Sequence, residues 1–144
     1  MIKYNSSGTK QWTKQLGSTV RDCANGIAID SSGNVYVTGV TYGGLDWNTS
    51  AGANDLFVVK YNSSGTKQWT KQLGTSGWDL GLGVATDSSG NVYVTGWTGG
   101  GLDGNTSAGN YDVFVVKYNS GGTKQWTKRL GRSINDWANG VATD

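Results

Sequence analysis

One decapeptide occurs three times. Lys3-Tyr4-Asn5-Ser6-Ser7-Gly8-Thr9-Lys10-Gln11-Trp12 returns at 60–69 and, with Gly121 in place of a serine, at 117–126. Tyr4, Tyr61 and Tyr118 stand 57 residues apart, with no gap between copies. A repeat this long and regular implies an array of similar units, none large enough to bury a core alone. The 144 residues hold about two and a half such units, and both ends fall inside a unit.

Each unit contains four segments that read as strands: A at 26–30, B at 34–40, C at 55–61 and D at 66–73. They are short, rich in β-branched and aromatic residues, and bounded by Gly, Asn, Asp and Ser. No window carries a capped helical period. Asp30-Ser31-Ser32-Gly33-Asn34 links A to B, and Asn62-Ser63-Ser64-Gly65-Thr66 links C to D. Both have the chemistry of tight turns: side-chain oxygens that fold back on the backbone and a Gly for positive φ. The B–C link (41–54) and the D–A link (74–82) are longer. The chain then reads C-D, A-B-C-D, A-B-C-D, A, or eleven strands, the last at 140–144. The expected fold is all-β, with β-propeller-type blades of four antiparallel strands on a 57-residue repeat. A β-solenoid fits less well, because its coils are usually shorter and lack such hairpin turns. The expected divisions are a partial blade with its connecting loop (1–24), two blade repeats with their following loops (25–81 and 82–137), and the first strand of a further blade (138–144).

Composition narrows the function classes. There is no His and no Pro, one Cys, one Met, and a net charge of +2 with 15% charged residues. That balance is too mild for a nucleic-acid footprint. A single Cys gives no internal disulfide framework, and the lack of His removes most metal chemistry. No apolar run approaches the roughly 20 residues needed to span a membrane. The sequence opens directly in the repeat, so no signal peptide is expected in it. Seven Trp and seven Tyr supply the large buried area that a 35% hydrophobic content otherwise lacks.

The run Gly26-Ile-Ala-Ile-Asp-Ser-Ser-Gly-Asn-Val-Tyr-Val-Thr-Gly39 closely resembles the bacterial SBBP repeat, named for the seven-bladed β-propeller. Phe57-Val-Val-Lys-Tyr-Asn-Ser-Ser-Gly-Thr-Lys-Gln-Trp69 looks like the second half of that repeat. Both stretches recur at 83–96 and 114–126. The resemblance implies a propeller from a large bacterial surface or secreted protein, with an extracellular or cell-surface location. It implies no catalytic residues. A closed ring of seven blades would need roughly 400 residues at this period, more than this sequence holds.

Near-identical copies can be compared with one another, and differences mark what the shared fold does not dictate. The short turns are almost constant. Variation gathers in the D–A link, where Arg21 aligns with Trp78 and Asn135, and Cys23 with Leu80 and Trp137. It also gathers in the B–C link, where Tyr42 aligns with Gly99, Trp47 with Gly104 and Asn54 with Tyr111. In an up-and-down blade these two links share one end of the strands, so the variable residues are expected on one face of the array. Loops on a rigid scaffold are where binding specificity sits; the competing account is unconstrained drift after duplication. Arg21, Tyr42, Trp47, Trp78, Tyr111 and Trp137 are therefore the candidate ligand-binding residues, suited to sugar rings or a protein partner. No cofactor and no metal ligand set is expected.

Other residues have structural readings. Trp12, Trp69 and Trp126 hold one place on strand D and suit packing between blades. Asp22, Asp79 and Asp136 suit acceptance of backbone N–H groups near strand A. Asp46 and Asp103, followed by Asn48 and Asn105, carry oxygens that suit calcium but fit turn chemistry better. Lysines on strand D suit protection of an exposed edge. Cys23 has no His to activate it. The expected function is a non-enzymatic binding or structural scaffold. The alternatives are a self-assembling homo-oligomeric propeller or filament subunit, and a hydrolase or lyase using loop carboxylates such as Asp22, Asp46, Asp79 and Asp136.

Overall fold

The short turns close by the same chemistry in every copy. Asp30 Oδ1 accepts the Ser32 and Asn34 backbone N–H groups, while Oδ2 accepts the Asn34 amide and the Tyr36 hydroxyl. Asp87 repeats all four bonds one unit later. Asn62 Oδ1 accepts from Ser64 and Thr66 in the C–D turn. Gly33 and Gly65 take the positive φ these turns require, 78° and 81°.

The computed structural model describes residues 1–144. These turns connect β1 (Ile2–Tyr4), β2 (Lys10–Thr13), β3 (Asp22–Ile29), β4 (Val35–Thr41), β5 (Asp55–Tyr61), β6 (Lys67–Leu73), β7 (Asp79–Thr86), β8 (Val92–Thr98), β9 (Asp112–Tyr118) and β10 (Lys124–Leu130). They form three antiparallel sheets: the pair β1-β2, and the four-stranded blades β3-β4-β5-β6 and β7-β8-β9-β10. The fold is all-β with about two and a half propeller-type repeats. The one helical feature is a short 3-10 turn at Leu102–Gly104.

Two expectations of detail change. Strand A starts earlier than residue 26, because Asp22–Asn25 and Asp79–Leu82 belong to β3 and β7. A bulge lies between Ala24 and Gly26, and again between Gly81 and Gly83. Opposite it, a Cβ on Gly39 would stand 1.9 Å from the Cys23 carbonyl oxygen, so no larger residue fits. Half of the variable D–A link is thus strand. The structure also has ten strands, not eleven. Residues 140–144 join no sheet. They still lie along β7: a Cβ on Gly83 would come 2.8 Å from the Gly140 Cα, and Thr143 donates to the Thr86 carbonyl at 2.7 Å.

Two apolar layers hold the sheets together. Val35, Val37, Phe57, Val59 and Tyr61 pack with Trp12 and Leu16 of the first, partial blade. Tyr36, Leu56 and Val58 on the opposite face of that blade pack with Val92, Val94, Phe114, Val116 and Tyr118 of the next. The inner strands approach closely enough that Asn25 donates to the Gly81 carbonyl at 2.9 Å. Trp12 and Trp69 pack between blades as expected. Each stands beside a tyrosine of the following unit, Tyr61 at 6.2 Å and Tyr118 at 6.4 Å between ring centroids. Trp126 is 37% exposed.

Candidate binding surface

The long links are tied together by backbone bonds at one end of the blades. Tyr42 N–H donates to the Arg21 carbonyl at 3.0 Å, and Gly99 N–H to the Trp78 carbonyl at 2.7 Å. Asp79 N–H donates to Asn54 and Asp136 N–H to Tyr111, both at 2.9 Å. Each B–C link is therefore joined to a D–A link on either side, which sets Arg21, Tyr42, Trp78 and Tyr111 at one end. Trp137, next to Asp136, is 61% exposed.

Carboxylates brace this belt. Asp22, Asp79 and Asp136 accept the backbone N–H of the residue four before each, at 2.7, 2.6 and 2.8 Å. Asp79 is wholly buried and also accepts the Thr98 hydroxyl. Burial pushes its carboxyl above the ordinary value and the nearby Asp55 charge adds to this, against the bonds from Thr98 and Thr75. Asp112 pairs with Arg129, whereas Asp55 at the same place one unit earlier accepts the Gln72 amide at 2.6 Å.

Arg21, Tyr42, Trp47, Trp78 and Tyr111 fall into three groups rather than one. Arg21 lies over the Tyr42 ring, 5.7 Å from its centroid. Trp78, half exposed, lies with Tyr111 against Gly99, where an added Cβ would touch both at 3.3 Å. Tyr111 meets Trp97 edge-on at 4.5 Å. Trp97 was missed by a comparison confined to the links, because it sits in β8. The signal was present, since its counterpart is the buried Val40.

Trp47 stands apart from both clusters. The B–C link does not stay at the blade end but folds back along strand D. Leu45 is buried, with its N–H on the Gln72 side chain at 2.9 Å, and Asn48 reaches the Thr70 carbonyl. Asp46 pairs with Lys67, and Asp103 with Lys124. The link folds this way because Leu45 must be buried, and the edge of β6 supplies the polar partners. Asp46 and Asp103 are held by lysines and Asn48 and Asn105 by carbonyls, which is turn chemistry, and these lysines serve ion pairs as well as the edge. Trp47 is left completely exposed at φ 67°, where the sister link has Gly104 at φ 77°.

Stacked four-stranded antiparallel blades with aromatic links at one end define a propeller-type repeat scaffold. A model of the β-propeller repeat SBBP matches residues 11–46 and 68–103, half of the chain. The chain belongs to the SBBP β-propeller repeat family. It is 31% identical over 163 residues to an uncharacterized WD repeat-containing protein of Acanthamoeba polyphaga mimivirus, covering 94% of this chain and 12% of that protein. It is 26% identical over 151 residues to the regulatory protein FlaEY of Caulobacter vibrioides, covering 94% of this chain and 16% of that one. The chain spans less than a fifth of either relative. Family and relatives support a repeat scaffold. No helix is long and apolar enough to cross a membrane.

Proposed function

We propose that this chain is a non-enzymatic blade module of a cell-surface or extracellular protein that recognises a carbohydrate or a protein through aromatics on its long links. Trp47 carries this reading. A non-Gly residue in the left-handed region costs about 1–2 kcal/mol, and a fully exposed indole recovers none of it by burial. Its benefit lies outside the chain, in a flat apolar ring offered to a sugar face or a partner surface. The Arg21–Tyr42 and Trp78–Tyr111–Trp97 clusters extend the same chemistry to the blade end. The alternative of a carboxylate enzyme loses support because Asp22, Asp46, Asp79 and Asp136 are each committed to backbone, lysine or threonine.

The test is direct binding of the wild type and of Trp47→Gly to immobilised oligosaccharides and bacterial surface proteins. At least a tenfold loss in the variant, with Lys10→Ala unaffected, is the expected result. Binding that is unchanged by Trp47→Gly and by Trp78→Ala would overturn the reading.

A further inference from the structure

On the reading that Trp47 is held out for an external contact, we propose that its occupant is a protein, which encloses the indole in an apolar pocket with an acidic rim. The ring is fully exposed, although its blade has a unit on either side, β1 and β2 before it and β7–β10 after it. Its exposure therefore does not come from the ends of the chain. The link is anchored beneath it. Leu45 packs with Tyr61, Trp12 and Leu16, and the Asn48 N–H donates to the Leu45 carbonyl at 3.0 Å. The indole stands as a knob on a closed turn, with both faces and its edge open.

Three observations select a pocket over a sugar polymer. First, the flanking side chains are already engaged. Asp46 pairs with Lys67, and the Asn48 amide donates to the Leu45 carbonyl at 2.8 Å and the Thr70 carbonyl at 3.5 Å. A sugar stacked on the ring needs polar groups beside it to fix its hydroxyls. Second, stacking covers one face only. A pocket that encloses the ring removes all of the roughly 150–250 Å² that a large aromatic can bury. Third, the ring is not repeated. The sister link has Gly104 at the same place, φ 77°, and the same ion pair, Asp103 with Lys124. A polysaccharide is itself periodic and gains from the same aromatic on every blade. One knob on an otherwise repeated surface suits one pocket, as a central anchor does in a protein interface.

Charge sets the rim. Asp46 neutralises Lys67, but Lys14 and Lys71 have no ion pair. Lys14 reaches from the preceding unit to Gly65, two residues before Lys67, where an added Cβ would stand 3.0 Å from its Cε. Lys71 follows Thr70, whose carbonyl holds Asn48. A surface that meets this region gains by being acidic.

The experiment measures association and dissociation rates of the full chain on an immobilised bacterial surface extract. One portion of the extract is digested with proteinase, and another is oxidised with periodate to destroy sugar diols. Carboxymethyl-β-cyclodextrin, an apolar cavity with an anionic rim, is the soluble competitor. Maltoheptaose carboxymethylated to the same degree is its linear control, with the same sugar and charge but no cavity. Binding is expected to survive periodate, to be lost after proteinase, and to be displaced by the ring and not by the linear glycan. Trp47→Gly should weaken it about tenfold or more, chiefly through faster dissociation. Lys14→Glu combined with Lys71→Glu should slow association about threefold or more and leave dissociation nearly unchanged. Circular dichroism checks that each variant keeps its β content, and Lys71→Glu alone replaces the double variant if it does not.

Trp47-dependent binding that periodate abolishes and proteinase spares would overturn the proposal in favour of a sugar, and so would equal displacement by the linear glycan. Either result leaves the external role of Trp47 standing. Unchanged or faster association in the lysine variant would overturn the acidic rim. Absence of binding by the wild type, or binding indifferent to Trp47→Gly, would overturn both the proposal and the role of Trp47 on which it rests.

Discussion

The two complete blades share strand order, turns and most of their sequence, yet the same face is buried in one and open in the other. In the β3–β6 blade, Tyr36 and Val58 are fully buried and Leu56 nearly so. Their counterparts Tyr93, Val113 and Val115 in the β7–β10 blade are only half buried, and Leu130 is 78% exposed. Trp69 has its N–H on Ser120, while Trp126 has no such partner. A unit's sequence sets its strands and turns, whereas its burial depends on whether another unit stands beside it. This is the near-neighbour energetics of repeat arrays.

The comparison can be broken most sharply at the tryptophans. Trp69→Ala should cost about 3 kcal/mol in urea melts, the range for loss of a packed large aromatic. Trp126→Ala should cost less than about 1 kcal/mol under conditions where the chain is monomeric. Equal losses would mean that the neighbouring unit contributes little to the energy.

The inner-strand glycines give a second, smaller contrast. A Cβ on Gly26 would sit 2.7 Å from the Leu82 carbonyl of the next blade, while one on Gly140 meets nothing within 4 Å. Gly26→Ala should therefore destabilise by about 2 kcal/mol and Gly140→Ala should be close to neutral. A neutral Gly26→Ala would show that the blades can part without cost. Trp47→Gly should act in the opposite direction. Relief of the left-handed tryptophan is expected to raise stability by about 1 kcal/mol, even as ligand binding falls. A loss of stability would remove the argument that Trp47 is kept for an external contact.

The smallest effect expected concerns pH, and here the blades should agree, because the A–B turn is local. Burial would raise the Asp30 carboxyl, but bonds from Asn34, Tyr36 and Ser32 outweigh it and hold it below the ordinary 3.8. Asp87 is lowered first by the Asn91 side chain, with Asn91 N–H, Tyr93 and Ser89 adding to it against slight burial. An acid lowered by folding binds fewer protons in the folded state, so its contribution is present above the ordinary value. It is lost as pH falls through the lowered one. Asp79, raised by burial, works the other way: its contribution is present below the ordinary value and is lost as pH rises through the raised one. Asp30→Asn and Asp87→Asn should flatten the acid limb of the stability profile by similar amounts. Unequal changes would show that the turns are sensitive to the neighbouring blade after all.

Much of this was legible in the sequence. The period, the four strands per unit, the turn chemistry and the packing role of Trp12 and Trp69 all follow from local rules applied to a repeated text. Asp22, Asp79 and Asp136 were likewise readable as acceptors of nearby N–H groups. The candidate surface was legible only in part. Sequence comparison found Arg21, Tyr42, Trp78 and Tyr111, but set Trp47 at the same place and passed over Trp97. The path of a 14-residue link depends on where Leu45 finds apolar cover and where Asn48 and Asp46 find partners. Those partners, Gln72, Thr70 and Lys67, lie more than 20 residues away.

The sequence by itself determined the unit: strands from β-branched and aromatic runs, and turns from Asp, Asn and Gly acting within four residues of one another. Tertiary structure alone decided which of three equivalent tryptophans is covered, and where the long links lie. A strand needs a hydrogen-bonding partner and an apolar face needs a neighbour, and both are properties of what stands alongside rather than of the residues themselves.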